Sequence, residues 1–348
     1  MKNPAFVLYT DVHLKKENQE AVLISIRHMI KYCLENNIKE VVFGGDLFHS
    51  RSNQSEDLLQ TADKILNLIN DAGLKNTAIS GNHDKQSYFS YTSFLDIYRY
   101  HPNLTLITRP TKKNIAGIDV TFIPFFDDSI LVPMLEEAEG GDMLISHFEM
   151  KGSSHLGKVS EKSSITRKTL KKWSKTYLGH YHNTNEITPN IVHLPSLRQN
   201  DFGEDSNKGF SVIYDDLSYE IIRGEFKAFT KITLDIDVLT SKEIKELIKT
   251  HENSSDTIRF ELVGDESKVK ALDKTQFKDT GIDIKAKYSK PKPSENTDPP
   301  KLIKKFDKGS VIRSFEEFCK EKEFDLPTGL IYLNKFLNKK NGWKKRKS

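Results

Sequence analysis

Cysteine is scarce in this chain of 348 residues, which contains only Cys33 and Cys319. Two cysteines so far apart in sequence do not form the disulfide framework that stabilises small secreted proteins. Long apolar runs are also missing, since none approaches the roughly 20 residues that a helix needs to cross a bilayer. The N-terminus lacks the small-residue cleavage site of a secretory signal peptide. These absences predict an intracellular globular protein without a membrane segment.

Charge of one sign does not dominate the chain, whose net charge is +4. The excess of lysine and arginine lies toward the C-terminus, so a mildly acidic body carries a basic tail. A basic tail suggests a polyanionic partner, although such tails also serve solubility.

The first part of the chain alternates between short apolar runs and segments with helical spacing. Apolar runs at residues 6–9, 41–43 and 77–79 predict buried strands. Apolar residues recur at helical intervals over residues 17–36 and 58–69, which predicts two amphipathic helices. This order favours parallel strands joined by crossover helices. Later segments contain more strand, so we expect an α/β protein with a mixed pair of sheets covered by helices.

Composition divides the chain into five expected segments. They are a main domain over residues 1–225, a small α/β domain over 226–288, a Pro/Lys-rich linker over 289–305, a helical segment over 306–340 and a basic tail over 341–348. The linker composition cannot pack a core. The helical segment is too small to be stable alone, so we expect its apolar face to bind another protein.

Four short polar clusters each follow a predicted strand. They comprise Asp11 and His13; Asp46; Asn82, His83 and Asp84; and His180 and His182. His147, between Ser146 and Phe148, adds one more imidazole. Carboxylate, imidazole and amide oxygen together form the mixed ligand set of a two-metal phosphoesterase site, in which Asp46 is the natural bridging carboxylate. Imidazole with carboxylate suits manganese, iron or zinc better than magnesium or calcium.

His83 is left over from this ligand set. Hydrolysis of a phosphodiester requires an activated water, neutralisation of the phosphate charge and a proton for the leaving oxygen. Two divalent ions serve the first two needs. We expect the neighbouring Asp84 to hold the His83 imidazole in one tautomer, so that a protonated His83 serves the third.

In this order the motifs resemble the calcineurin-like metallophosphoesterases. Within them, the closest resemblance is to the SbcD-type nucleases of double-strand-break repair complexes, including the phage recombination endonuclease subunits. The narrowing motif is the pentapeptide Gly-Asp-Leu-Phe-His at residues 45–49. Residues 195–210 are also similar, although Pro195 replaces the usual glycine before Ser196. The resemblance implies a four-layer αββα sandwich with a small α/β cap facing DNA and a C-terminal helical segment that binds a partner.

The resemblance also implies a division of labour among the site residues. One ion would be held by Asp11, His13, Asp46 and His182, and the other by Asp46, Asn82, His147 and His180. His49 would lie near the DNA phosphate. The implied protein is a manganese-dependent exonuclease and endonuclease subunit with two divalent ions per site. It would act on DNA, form a homodimer within a heterotetramer, and bind an SbcC-type coiled-coil ATPase through residues 306–340. It would work in the cytoplasm of a bacterial or phage-infected cell.

Two other functions share these motifs. One is a phosphodiesterase for cyclic nucleotides or other small phosphate esters. The other is a non-catalytic scaffold on the same fold that recruits repair proteins to DNA ends. His49, the appended small domain and the basic tail favour a DNA substrate, and the complete set of ligand positions favours an enzyme.

Overall fold

The computed structural model describes a first compact unit, within residues 1–288, and isolated positions of a second, within 289–348. The described residues are 2–155, 158–252, 254–271 and 283–288, with positions 312, 315, 316, 319, 320, 330 and 333. The predicted linker and basic tail, and most of the predicted helical segment, lie outside the described residues and stay predictions.

The helices and strands of the first unit are named here in chain order. They are β1 Pro4–Tyr9, α1 Gln19–Glu35, β2 Glu40–Phe43, α2 Glu56–Asp71, β3 Lys75–Ile79, β4 Leu104–Ile107, β5 Thr111–Ile115, β6 Ile118–Ile123, α3 Asp128–Glu137, β7 Gly141–Ser146, β8 Ser154–His155, β9 Lys158–Val159, β10 Trp173–Leu178, β11 Asn185–Thr188, β12 Ile191–His193, β13 Gly209–Tyr214, β14 Tyr219–Arg223, β15 Phe229–Asp235, α4 Ser241–Lys249, β16 Thr257–Gly264, α5 Glu266–Ala271 and β17 Asp283–Tyr288. Short 3-10 helices occupy Lys16–Asn18 and Phe94–Tyr98.

Two six-stranded sheets organise the main part of this unit. The first has the order β14-β13-β1-β2-β3-β4, and the second has the order β11-β12-β10-β7-β6-β5. Strands β1 to β4 run parallel, as the predicted alternation of strands and helices requires. Strands β6, β7, β10 and β12 of the second sheet are also parallel, and antiparallel strands lie at its edges.

The strands at the centre of the first sheet are buried on both faces. In β1, Phe6 and Leu8 pack in the apolar layer between the two sheets, whereas Val7 and Tyr9 pack on the opposite face beneath the helices. Alternate side chains of a strand point to opposite faces. A strand covered on both sides therefore reads as a continuous apolar run in the sequence, which is why residues 6–9 predicted it.

Helices cover the outer face of each sheet. The apolar residues of α1 and α2, among them Ile26 and Ile65, share a core cluster with the first sheet. Leu131 and Leu135 of α3 share another with Leu144 of β7. The layers therefore run helix, sheet, sheet, helix, which confirms the predicted four-layer α/β sandwich. Helix α3 was not predicted from the sequence, because it contains Pro133, a residue unusual in helix interiors.

A small parallel sheet of three strands, β15-β16-β17, follows the sandwich. Its own core is formed with α4, where Ile244 and Ile248 pack against Phe260 and Leu262 of β16. This arrangement has the strand, helix, strand order expected over residues 226–288, while the domain boundaries stay predictions. Among the helices in the described part of the chain, none combines the length and the apolarity of a bilayer span.

Candidate metal centre

The polar clusters meet at one edge of the sandwich. Strands β1, β2 and β3 of the first sheet, and β7 and β10 of the second, each end just before a cluster. Side chains that follow the carboxyl ends of parallel strands lie together at one edge of a sheet. The structure thereby brings together all seven side chains expected to bind metal. They are Asp11, His13, Asp46, Asn82, His147, His180 and His182.

One group of donor atoms comes from Asp11, His13 and His182. The Nε2 atoms of His13 and His182 are 2.8 Å apart, and each lies 3.8 Å from Oδ1 of Asp11. Donors that bind one ion at about 2.0–2.2 Å stand about 3–4 Å from one another. These three side chains therefore fit around a single cation.

A second group surrounds the amide oxygen of Asn82. Its Oδ1 lies 2.9 Å from Nδ1 of His180 and 3.2 Å from Nε2 of His147. Asp46 lies between the two groups, because its Oδ2 is 3.2 Å from Nε2 of His147 and 3.6 Å from Nε2 of His13. The carboxylate, imidazole and amide oxygen donors fit divalent cations such as manganese, iron or zinc.

Backbone and side-chain acceptors orient two of the imidazoles. Nδ1 of His147 lies 2.9 Å from the carbonyl oxygen of Gly44, and Nδ1 of His182 is hydrogen-bonded to the Glu204 carboxylate. When Nδ1–H donates outward in this way, the Nε2 lone pair points toward the centre. The surroundings thus select the tautomer that a metal ligand needs.

Glu204 and Lys208 support His182 from the protein side. The second carboxylate oxygen of Glu204 accepts a hydrogen bond of 2.9 Å from the backbone of Asn200. The buried Nζ of Lys208 donates to the carbonyl oxygen of His182 at 2.6 Å. Neither residue was predicted from the sequence to be part of the site. Both lie within residues 195–210, the stretch that resembles the family, and this resemblance is the feature of the sequence that could have identified them.

The same stretch, residues 198–208, also contacts the small sheet. The Gln199 side chain accepts from the backbone N–H of Phe229 at 2.8 Å and donates to its carbonyl oxygen at 3.2 Å. The Arg259 guanidinium lies 3.8 Å from the ring centroid of Phe202. Segment 198–208 therefore contacts strands β15 and β16 and also contains Glu204 and Lys208, the two residues that hold His182 in place.

Asp84 does not hold the His83 imidazole, so that prediction is wrong. Its carboxylate accepts hydrogen bonds from four backbone amides at 2.9–3.2 Å. They belong to Asp46, Leu47, Phe48 and Gly81. Nδ1 of His83 lies instead 2.6 Å from the carbonyl oxygen of His49. Asp84 thus fixes the loop that carries the central carboxylate, and the His49 backbone orients His83.

The backbone at the strand ends is strained. Asp11, His13, Asp46 and His180 have φ angles of 54°, 48°, 61° and 87°, in a region that costs a non-glycine residue about 1–3 kcal/mol. Gly81 is required for a different reason, since a Cβ there would lie 2.1 Å from Oδ1 of Asp46. Such strain is typical of backbone held in place for function.

Electrostatic interactions favour the protonation states that metal binding needs at Asp46 and His180, whereas His147 must release a proton when an ion binds. Burial acts to raise the pKa of Asp46, but the neighbouring His147 outweighs it and the pKa falls to about 2. Burial lowers the pKa of His180 to about 3. Burial also acts to lower the pKa of His147, yet Asp46 and Asp11 raise it to about 9. The central carboxylate is therefore ionised and His180 neutral, as metal binding requires.

An open pocket of about 710 Å³ adjoins this cluster. It is lined by His49, Arg51, Ser52, His83 and Gln86. The His83 ring packs edge-on against His13, with centroids 4.8 Å apart, and the His83 backbone N–H donates to Oδ1 of Asp46 at 2.8 Å. His83 therefore stands between the ligand cluster and the pocket.

Comparison with known proteins identifies the family. The sequence model of the calcineurin-like phosphoesterases matches residues 5–224. Exonuclease subunit 1 of Enterobacteria phage T4 is 23% identical over 165 residues, which are 46% of this chain and 48% of that protein. This chain thus spans about half the length of the curated relative that it matches.

Two solved structures are among the similar ones. A dimetal phosphatase from Danio rerio is 10% identical and has a TM-score of 0.42, covering 61% of this chain and 93% of that one. A nuclease from Pseudomonas putida, MPE, is 13% identical with a TM-score of 0.27, covering 52% of this chain and 63% of that one. The family match by itself includes more than half of the chain and all seven expected ligands. The chain belongs to the calcineurin-like phosphoesterase family.

Proposed function

We propose that this phosphoesterase is a DNA nuclease that hydrolyses phosphodiester bonds. The observation that carries the proposal is the convergence of the six other expected ligand side chains around Asp46, directly beside the open pocket of His49, His83 and Arg51. Apart from the half-buried His83, the residues that line the pocket are exposed. A polymer chain can therefore lie along the pocket. The similarity to a phage exonuclease subunit supports DNA as the substrate.

We assign the ligands to two divalent ions, for which manganese is our first candidate. Asp11, His13, Asp46 and His182 would hold one ion, and Asp46, Asn82, His147 and His180 would hold the other. When bound, such a pair supplies an activated water and neutralises the phosphate charge. The spacing of the two groups on either side of Asp46 supports this assignment.

His83 is our candidate for the proton donor to the leaving oxygen. Its Nδ1 is held by the His49 carbonyl oxygen, so Nε2 is left for the substrate. Burial lowers the pKa of His83, and the nearby Asp46 carboxylate opposes this effect. A bound phosphate would add negative charge beside the ring and favour its protonated form. The exposed His49 side chain would contact a phosphate of the DNA.

We further propose that the chain works as a subunit. The phage relative is named as a subunit of an exonuclease, which supports assembly with other chains. By the resemblance of the motifs, the partner would be an SbcC-type coiled-coil ATPase. Residues 306–340 would dock on it, and two copies of the chain would pair in a heterotetramer.

The catalytic proposal is tested with His83→Asn. General acid catalysis contributes about 10²–10⁴-fold to a rate, so manganese-dependent cleavage of linear DNA should fall by at least about 100-fold. Manganese affinity, measured by isothermal titration calorimetry, should stay within about 3-fold of the wild-type value, because His83 is not among the assigned ligands. His101→Asn, at a histidine that contacts Pro102 and Asn67, is the matched control.

Substrate class is tested with the wild-type protein. Its turnover of linear DNA should exceed its turnover of cyclic nucleotides, and a chelator should abolish both. Faster turnover of cyclic nucleotides than of DNA would contradict the proposed nuclease function and indicate a phosphodiesterase for small esters. An unchanged rate in His83→Asn would remove His83 from the chemistry.

A further inference from the structure

A surface rich in aromatic rings continues outward from the pocket of His83. It is formed by residues 86–91, and we call it the 86–91 loop. Three of its side chains are aromatic: Tyr88, Phe89 and Tyr91. The Phe89 ring is 61% exposed and the Tyr91 ring 40% exposed. Exposed rings at this density are uncommon on a soluble surface and mark a contact site.

Arginine side chains lie over two of these rings. The guanidinium carbon of Arg51 is 4.9 Å from the Tyr88 ring centroid, and that of Arg109 is 4.5 Å from the Tyr91 ring centroid. Segments 49–55 and 85–93 contain no aspartate or glutamate. The surface therefore combines flat apolar faces with positive charge, which suits a ligand that is both planar and anionic.

The loop is connected directly to the pocket. Arg51 and Gln86 line the pocket together with His49 and His83. The Gln86 amide donates to the carbonyl oxygen of Ser52 at 2.6 Å, which ties the 86–91 loop to the segment that carries Arg51. A strand whose phosphate lies beside His83 would therefore pass over these rings.

Two of the three rings are supported from behind. Tyr88 packs edge-on against Phe125 with centroids 4.8 Å apart, and Tyr91 packs against Phe126 at 5.1 Å. The buried Nζ of Lys85 donates to the carbonyl oxygens of Ser90 and Phe125, at 2.9 Å and 2.6 Å. Side chains held in this way lose little further conformational freedom when a ligand binds.

We propose that the 86–91 loop, with Arg51 and Arg109, binds unpaired nucleobases next to the phosphodiester to be cleaved. Bases inside a duplex have their faces covered by neighbouring pairs, so a base that stacks on Phe89 or Tyr91 away from a duplex end must be unpaired. The arginines would contact the backbone phosphates between those bases. This inference rests on the proposed nuclease function and narrows its substrate to single-stranded DNA or frayed ends.

The test compares the binding of a fluorescent single-stranded oligonucleotide, measured by anisotropy in chelator, among Phe89 variants. Stacking on one ring is worth about 1–3 kcal/mol per base, so Phe89→Ala should weaken binding about 5- to 160-fold. Phe89→Trp, which keeps a flat ring, should restore it, whereas Phe89→Leu should not. Tyr100→Ala, at a tyrosine 94% exposed outside this surface, is the control and should bind like the wild type.

Turnover gives a second readout. The ratio of manganese-dependent cleavage of the oligonucleotide to hydrolysis of bis(p-nitrophenyl) phosphate, a diester without bases, should fall in Phe89→Ala. Equal oligonucleotide affinity in the wild type and Phe89→Ala would overturn the inference. A change in the sedimentation coefficient of the DNA-free protein in Phe89→Ala would also overturn it, because the rings would then contact a second copy of the chain.

Different experimental results would contradict the stacking surface and the proposed nuclease function. A wild-type protein that hydrolyses the small diester but shows no ring-dependent binding of oligonucleotide contradicts only the stacking surface. A wild-type protein that cleaves neither substrate contradicts the nuclease proposal, while ring-dependent binding in chelator would still support the surface.

Discussion

The two ring nitrogens of His182 contact different groups of residues. Its Nε2 atom faces His13 and Asp11 in the ligand cluster, while its Nδ1 atom contacts Glu204. A carboxylate behind a ligand imidazole fixes the ring and raises the basicity of the opposite nitrogen. We therefore expect the metal affinity of the proposed site to depend on Glu204, which is not among the assigned ligands.

Replacing Glu204 by glutamine should weaken metal binding. The variant keeps the shape of the side chain but removes the negative charge behind His182, and changes of this kind cost about 10–100-fold in metal affinity. Isothermal titration calorimetry with manganese measures the effect. Glu35→Gln, at an exposed position of α1 that is ion-paired with Lys31, should leave the affinity unchanged. Equal affinities in both variants would contradict the supporting role of Glu204.

His193 should make the stability of the fold sensitive to acid. It is fully buried between the carbonyl oxygen of Gly179 at 2.9 Å and the hydroxyl of Ser153 at 2.8 Å. Burial lowers its pKa from 6.5 to about 4. Between these two values the unfolded chain takes up a proton that the folded chain does not, so the free energy of unfolding decreases as the pH falls.

Urea unfolding in chelator at pH 7 and pH 5 measures this effect. The wild type should lose about 2 kcal/mol more than His193→Gln over this interval, because the variant has no imidazole to titrate. The same loss in both proteins would show that His193 titrates alike in the folded and unfolded chains.

At the scale of helices and strands, burial decided what the sequence could predict. Strands β1 to β3 are covered on both faces and were predicted as apolar runs, and the polar residues after them were predicted to form one site. Edge strand β5, with the sequence Thr-Lys-Lys-Asn-Ile, was missed, because it is defined by pairing with β6 rather than by apolar side chains. The partners of Asp84 and Glu204 were missed too, since they depend on tertiary contacts between distant loops.

The turn after β3 should not tolerate a side chain at Gly81. The Cβ of Gly81→Ala would lie 2.1 Å from Oδ1 and 2.6 Å from the backbone N of Asp46, so the loop that carries the central carboxylate must move. We expect a loss of about 1–3 kcal/mol in stability and a fall of more than about 10-fold in manganese affinity. Thermal unfolding and calorimetry measure the two effects.

Gly141→Ala is the control for this turn. At the start of β7 the nearest atoms to an added Cβ are 3.6 Å away, which is ordinary van der Waals contact. Wild-type affinity in Gly81→Ala would show that the Asp46 loop adapts without cost.

At the scale of the whole molecule, we expect hydrolysis of a small diester not to require the C-terminal residues 306–348. Deleting residues 306–348 should abolish binding to a coiled-coil ATPase, because the proposed docking segment is removed, and should leave the rate on bis(p-nitrophenyl) phosphate unchanged. Size-exclusion chromatography of the mixed proteins measures binding, and released nitrophenolate measures the rate. Full binding by the truncated chain would contradict the docking proposal.

The ligand cluster draws on both sheets of the sandwich. Asp11, Asp46 and Asn82 follow strands of the first sheet, and His147, His180 and His182 follow strands of the second. Ions bound between them would cross-link the two sheets, which are also joined by an apolar layer and by hydrogen bonds such as that between Nδ1 of His147 and the carbonyl oxygen of Gly44. A ligand at 100 times its dissociation constant adds about 2.7 kcal/mol to folding stability. Without the metal, the protein would then lose its activity and would also be degraded faster. Its two sheets would separate more often, and proteases attack such opened chains.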